Sequence, residues 1–284
     1  MTDNIESVLI ESRVFEPPAA FKAEAIISDP AEFQRLYRQS LDDPAKFWGE
    51  AAKQLHWFEP WIRVMEWDEP HVRWFVGGKT NLAYNCLDLQ VERGLGQKVA
   101  FHWEGEPGDK RTLTYTDLLL EVSKFANVLK DMGVTIGMKV AIYMPMIPEA
   151  VVAMLACARI GATHSVVFGG FSSDALASRI SDADARVVIT QDAAWRGGKQ
   201  VPLKANTDLA LAQTSGVEKV IVLRRAGADV HMEEGRDIWW HDLVEDQTDE
   251  CEAVPLAAED SLYILYTSGT TGKPKGIVHT QGGY

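Results

Sequence analysis

From Arg111 to Leu223 short, apolar, β-prone runs alternate with helical segments, and this alternation limits the fold more than any other feature of the chain. Leu118, Val122, Phe125, Leu129 and Met132 recur at helical spacing behind Thr114 and Thr116, either of which can cap a helix that Gly133 ends. Val140 to Tyr143 reads as a strand, Pro148 opens a helix through Ile160, Ser165 to Phe168 is a strand and Ser173 to Ile180 a helix. Arg186 to Thr190 and Lys219 to Leu223 follow as apolar strands. Buried-type strands separated by helices predict an α/β fold, a mostly parallel sheet with flanking helices and right-handed crossovers.

In such a sheet, ligands gather at the C-terminal ends of strands. The run Tyr266-Thr267-Ser268-Gly269-Thr270-Thr271-Gly272-Lys273-Pro274-Lys275-Gly276 carries chemistry for a polyphosphate. Its glycines let consecutive backbone N–H groups turn toward one anion, its hydroxyls add hydrogen bonds to phosphate oxygens, and its lysines bring mobile positive charge. It is not a Walker A loop: only Thr270 and Thr271 separate Gly269 from Gly272-Lys273, and Pro274 follows the lysine. Apolar runs at Ser261–Tyr266 and Gly276–Thr280 flank it, which predicts a strand–loop–strand grip. An ordinary Gly/Ser/Thr turn is the plain alternative.

Two further loops carry anion chemistry. Phe168-Gly169-Gly170-Phe171-Ser172 leaves a strand and leads into a helix N-terminus, and Trp195-Arg196-Gly197-Gly198-Lys199 follows the next strand with two cations around two glycines. Together they suggest a second site for a phosphorylated ligand, against the alternative of a glycine-rich connection with solvated charges. The histidines show no metal-ligating spacing, no metal ligands are identified, and Ser172 lacks the G-x-S-x-G elbow of a nucleophile.

At Tyr266–Gly276 the chain resembles the adenylate-forming superfamily of acyl-CoA synthetases, luciferases and nonribosomal-peptide adenylation domains. Within it the chain is similar to the AMP-forming acetyl-CoA synthetases over nearly its whole length. The stretches that carry this likeness are Phe47–Glu50, Asn81–Asp88, Ala141–Met146, Met154–Ala162, Val167–Ser172, Asp237–Asp242 and His279–Tyr284. The resemblance implies acetate–CoA ligase activity with ATP, CoA and Mg2+: acetate attacks the α-phosphate of MgATP, giving acetyl-AMP and diphosphate, and the CoA thiol then displaces AMP. It implies that Thr267, Ser268, Gly269, Thr270, Thr271, Gly272 and Gly276 hold ATP phosphates, with Lys273 as the catalytic electrostatic group and Lys275 contacting phosphate or bracing the loop. Gly170, Arg196, Gly197, Gly198 and Lys199 are implied to bind the CoA nucleotide. Lys199 departs from the commoner arginine and loses the planar fork. A propionyl-CoA synthetase, or a stand-alone nucleotide- or CoA-binding module, is the alternative.

In the family the adenine and acyl pockets and the lid with the adenylation lysine lie downstream. Residues 1–284 are therefore expected to be an N-terminal part, inactive alone, whose partner is the remaining C-terminal part of the same chain. Three domains are expected: an irregular arm over 1–25, a tryptophan-rich layer over 26–105, and the first part of the AMP-binding domain over 106–284. Those tryptophans suit either a carbohydrate platform or an anchor that fills an interface. A net charge of −13 argues against general affinity for nucleic acid or anionic membrane. No apolar run of about 18 residues is present, Met1–Glu6 is no secretory leader, and the three cysteines Cys86, Cys157 and Cys251 show no paired spacing, so a cytoplasmic setting is expected.

Overall fold

The computed structural model describes residues 13–267 and 274–284. The chain forms two compact units, Met1–Lys53 and Gln54–Tyr284. In the first, α1 (Ala19–Glu24), α2 (Pro30–Asp42) and α3 (Pro44–Ala52) follow one another. An Asp-Pro pair starts both longer helices. Asp29 accepts from the Ala31 N–H and Asp43 from the Lys46 N–H, with proline at the first helical position where its missing N–H costs nothing. The helix Ala19–Glu24 lies within the arm expected to be irregular; its alanines favour a helix, and Pro18 precedes it where proline is tolerated.

The second unit opens with an antiparallel hairpin, β1 (Arg63–Asp68) and β2 (His71–Val76), followed by β3 (Lys79–Thr80) and two π-helical turns, Tyr84–Asp88 and Val91–Leu95. Trp57, Trp61 and Phe75 pack on one another with ring centroids 4.9–5.3 Å apart, edge-on or tilted, so these half-buried tryptophans form a packed cluster over buried Phe75 rather than a flat platform. A second hairpin, β4 (Val99–Glu104) and β5 (Lys110–Thr114), has residues 105 and 106 in its turn and leads directly into α4 (Tyr115–Asp131). Thr114 is the cap of that helix, and it exchanges hydrogen bonds with Asp117 in a capping box.

The alternation then proceeds through β6 (Lys139–Met144), α5 (Pro148–Ile160), β7 (Thr163–Phe168), α6 (Ser173–Ala183), β8 (Val187–Gln191), a small hairpin of β9 (Ala194–Arg196) and β10 (Lys199–Val201), α7 (Leu203–Leu211) and β11 (Lys219–Leu223). After β12 (Asp237–Trp239) and α8 (Trp240–Val244), the short β13 (Leu256–Ala257) pairs with β3, and β14 (Ser261–Thr267) and β15 (Lys275–Thr280) complete the main sheet. Seven strands order as β12-β11-β8-β6-β7-β14-β15, all parallel except the last pair.

Both sheet faces are covered, which is why β6 and β8 are buried along nearly their whole length. On one face Val140, Ile142 and Ile189 pack with Leu118, Val122, Phe125 and Leu129 of α4, and Phe125 stacks on Trp240 at 3.6 Å. On the other, Ala141, Tyr143, Val188 and Val220 pack with Leu176 and Ile180 of α6 and Leu203 of α7. Among the described residues no helix is long and apolar enough to cross a membrane.

Candidate functional site

Because β6 is flanked by β7 on one side and β8 on the other, successive crossovers run in opposite directions and leave a crevice at the strand ends, where open α/β sheets bind ligands. The loop Gly169–Ser172 leaves β7 at that point. Ser172 caps α6 by accepting from the Ala175 N–H, and Tyr143 Oη donates to the Phe171 carbonyl oxygen at 2.6 Å, so the loop backbone is tied both to the following helix and to the adjacent strand.

The β9–β10 hairpin reaches back across β6 to this loop. Arg196 and Lys199 are directly paired across a two-residue turn in which Gly197 and Gly198 have φ of 59° and 73°, the left-handed geometry a tight hairpin requires. The Arg196 guanidinium lies 5.2 Å from the centre of the Phe168 ring and close enough to Gly170 that a Cβ there would collide with it. Gly170, Arg196, Gly197, Gly198 and Lys199 are all exposed, and neither Arg196 nor Lys199 has a carboxylate partner among the described residues. The two loops singled out in the sequence thus meet, with two open cations between them.

Sequence reasoning missed the carboxylates and the scaffold around this spot. Glu106, in the β4–β5 turn, accepts from the Gly198 N–H at 2.5 Å, and Asp109 of the same turn pairs with Arg225, whose guanidinium lies 4.6 Å from the Trp103 ring centre. Buried Asp192 accepts from the N–H groups of Ala193, Arg225, Ala226 and Ala228 and so pins the segment after β11 to the end of β8. An aspartate just past the apolar run Val187–Thr190 was the available signal, and the structure shows it fully buried.

The polyphosphate run lies between β14 and β15. Ser268, Gly269, Thr270, Thr271, Gly272 and Lys273 fall outside the described residues, whereas Thr267, Lys275 and Gly276 lie within them. The strand–loop–strand expectation matches the flanks: β14 and β15 are antiparallel, with Thr267 opposite Lys275 and Tyr266 opposite Gly276. Thr267 and Lys275 are exposed, and Lys275 has no carboxylate partner among the described residues. Because β7 and β14 are parallel neighbours, Thr267 at the end of β14 and the Gly169–Ser172 loop after β7 lie at the same edge of the sheet. Tyr266 Oη donates to Asp182 Oδ2 of α6 at 2.7 Å; burial, then this carboxylate, pushes the phenol pKa well above its ordinary value.

A parallel sheet with a glycine- and cation-bearing loop pair at its C-terminal edge suits an anionic ligand, and comparison with known families gives the class. Residues 87–284 match the AMP-binding enzyme family, so the chain belongs to that family. Residues 33–86 match the acetyl-coenzyme A synthetase N-terminus. The chain is 55% identical to the acetyl-coenzyme A synthetase of Rubrobacter xylanophilus, over 100% of its own length and 43% of the relative. It is 56% identical to the protein of the same name from Deinococcus radiodurans, over 99% of its length and 44% of that relative. With the Streptomyces avermitilis acetyl-coenzyme A synthetase the identity is 53% over 99% of this chain and 43% of the relative. The chain thus spans less than half the length of the curated relatives it matches.

Proposed function

We propose that the protein acts as an AMP-forming acetate–CoA ligase, its full-length form joining acetate to AMP and then to CoA. The observation that supports this most directly is an overall identity of 55% and 56% to two acetyl-coenzyme A synthetases, over 100% and 99% of the chain. In this reading the arm 1–25 and the layer 26–105 precede the first part of the adenylation domain, 106–284.

Acetate attacks the α-phosphorus of MgATP, and negative charge moves onto the departing diphosphate. The run after Tyr266 meets that charge: Thr267, Ser268, Gly269, Thr270, Thr271, Gly272 and Gly276 orient β- and γ-phosphate oxygens, Lys273 neutralises them, and Lys275 adds charge at the loop's far end. Magnesium would arrive with the nucleotide and would offset its phosphate charge; among the described residues no cluster of His, Cys, Asp or Glu is placed to hold it. In the second half-reaction Arg196 and Lys199, beside Gly170, Gly197 and Gly198, grip the phosphorylated nucleotide end of CoA while its thiol attacks the acetyl carbonyl and AMP leaves. The free thiols Cys86, Cys157 and Cys251 suit a reducing, cytoplasmic setting.

The test is acetate-dependent exchange of labelled diphosphate into ATP by the full-length protein. Exchange with acetate is expected, and Lys273→Ala is expected to slow it by about 10²–10³ without weakening CoA binding. Exchange supported by propionate but not acetate would reassign the acid, and unchanged exchange in Lys273→Ala would remove the phosphate role from this loop.

A further inference from the structure

One side chain lies between the Gly169–Ser172 loop and the end of β14. The guanidinium of Arg179, on α6, lies 4.7 Å from the centre of the Phe171 ring and 5.3 Å from the centre of the Tyr266 ring. Phe171 belongs to the Gly169–Ser172 loop that meets Arg196, and Tyr266 is the first residue of the polyphosphate run. Arg179 is only 9% exposed, donates through Nη1 to the Ala175 carbonyl at 2.7 Å, and has no carboxylate partner among the described residues. The carboxylate one turn away on the same helix, Asp182, is taken by the Tyr266 hydroxyl.

A buried arginine paired for stability alone would be expected against a carboxylate. This one is held by two aromatic faces, an arrangement that favours a planar guanidinium over a point-charge ammonium and fixes the rings that contact it. The Phe171 backbone is secured independently, through Tyr143 and the Ser172 cap, and the Tyr266 backbone through pairing of β14 with β15. The Tyr266 ring is also held through its hydroxyl by Asp182, so what Arg179 adds is the placement of the Phe171 ring against an already anchored Tyr266.

We propose that Arg179 is a positioning residue that sets the Gly169–Ser172 loop and the start of the polyphosphate loop together, so that a disturbance on the CoA side is felt in adenylation. The proposal rests on the functional reading above. It does not make Arg179 a catalytic residue, since it acts through Phe171 and Tyr266.

The experiment uses the full-length protein with Arg179→Lys, Arg179→Met and Phe171→Leu, each alone, and Phe171→Leu combined with Arg179→Met. Acetate-dependent diphosphate exchange without CoA reports adenylation, the CoA concentration dependence of thioester formation reports the second site, and thermal melting reports folding. Arg179→Lys and Arg179→Met are each expected to slow exchange and to raise the CoA requirement about five- to tenfold, the size of a partly buried cation–aromatic contact. Phe171→Leu, on the CoA side, is expected to slow exchange as well, and to add nothing once Arg179 is methionine, a non-additivity that marks one connected unit. Should the Arg179 variants fail to fold, Phe171→Leu carries the test alone.

Phe171→Leu that raises the CoA requirement but leaves exchange untouched would overturn the proposal, as would additive effects in the combined variant. Arg196→Ala and Lys273→Ala run beside these as controls. If they shift the CoA requirement and exchange respectively while Phe171→Leu stays local, the functional reading stands and the Arg179 proposal falls. If neither control has an effect, the functional reading itself is wrong and takes the Arg179 proposal with it.

Discussion

Arg196 sits at the crevice with no carboxylate partner among the described residues, against a glycine that could not be any other residue without moving the guanidinium. An added Cβ at Gly170 would meet the end of the Arg196 side chain and the edge of the exposed Phe168 ring, both side-chain atoms, so Gly170→Ala should displace Arg196 and Phe168 rather than unfold the sheet. Both Arg196→Ala and Gly170→Ala are expected to raise the CoA requirement, the first by about 10- to 100-fold, the usual worth of a charge-assisted hydrogen-bonded contact, and the second by less. With dephospho-CoA the difference from the unsubstituted protein should shrink, and Lys199→Arg should match or tighten CoA binding through its planar fork. Loss of diphosphate exchange in Arg196→Ala with CoA absent would move this residue to the ATP site or to the fold. Gly170, Arg196 and Lys199 were legible in the sequence because glycines and cations just after apolar strands are uncommon chemistry for a mere connection. Glu106 was not legible, since its partner Gly198 is 92 residues away and only the fold brings them together.

At the level of the element, periodicity gave α4, α5 and α6 and the strands β6, β7, β8, β11, β14 and β15, because each is apolar on a face or throughout and lies between strong breakers, but it gave neither α7 nor the three-residue β12. The helix after Ser172 runs past the expected Ile180 to Ala183, where Asp184 turns into the left-handed region and ends it, an event decided by backbone geometry rather than by apolar spacing. The β9–β10 hairpin was read as a loop, since its strands are too short for alternation to register. One buried side chain gives β7 a pH dependence. His164 stands opposite Val140 of β6 and Tyr263 of β14, and burial lowers its pKa from 6.5 to about 4, with no partner for Nδ1 among the described residues. The unfolded chain therefore binds a proton between these two values that the folded chain does not. Stability is full above pH 6.5 and declines as pH falls toward 4, by at most about 3 kcal/mol. His164→Phe, which keeps a ring beside Tyr263, should flatten the decline in melting temperature from pH 7 to pH 4.5. An equally steep decline in that variant would assign the acid sensitivity to other groups.

At the scale of the molecule, the unit Gln54–Tyr284 is held together by polar contacts between segments far apart in sequence. Asn81 donates through Nδ2 to the carbonyls of Ala158, Arg159 and Val254, and Arg159 grips Asp88 with both terminal nitrogens, at 2.7 and 2.9 Å, while its Nε donates to the Cys251 carbonyl at 2.6 Å. The sequence marked Asn81–Asp88 and Met154–Ala162 as separate stretches of family likeness; in the fold they are two halves of one joint. Nothing in the order of residues reveals that pairing, because an arginine in an apolar helix states a need for a partner without naming it. The Arg159 side chain is 5% exposed and that of Asp88 17%, so removing the arginine leaves a carboxylate largely cut off from water. Arg159→Met is accordingly expected to lower unfolding free energy by about 3–5 kcal/mol, measured as the shift of the urea midpoint at unchanged slope. The cost comes from the stranded charge more than from the lost attraction, so combining Arg159→Met with Asp88→Leu should recover most of the loss, short of the share owed to the unpaired Cys251 carbonyl. A double variant as unstable as the single one would mean that the joint is held by its geometry and not by charge neutralisation, and a single variant costing less than about 1 kcal/mol would mean that water reaches Asp88 and the pair behaves as a surface ion pair.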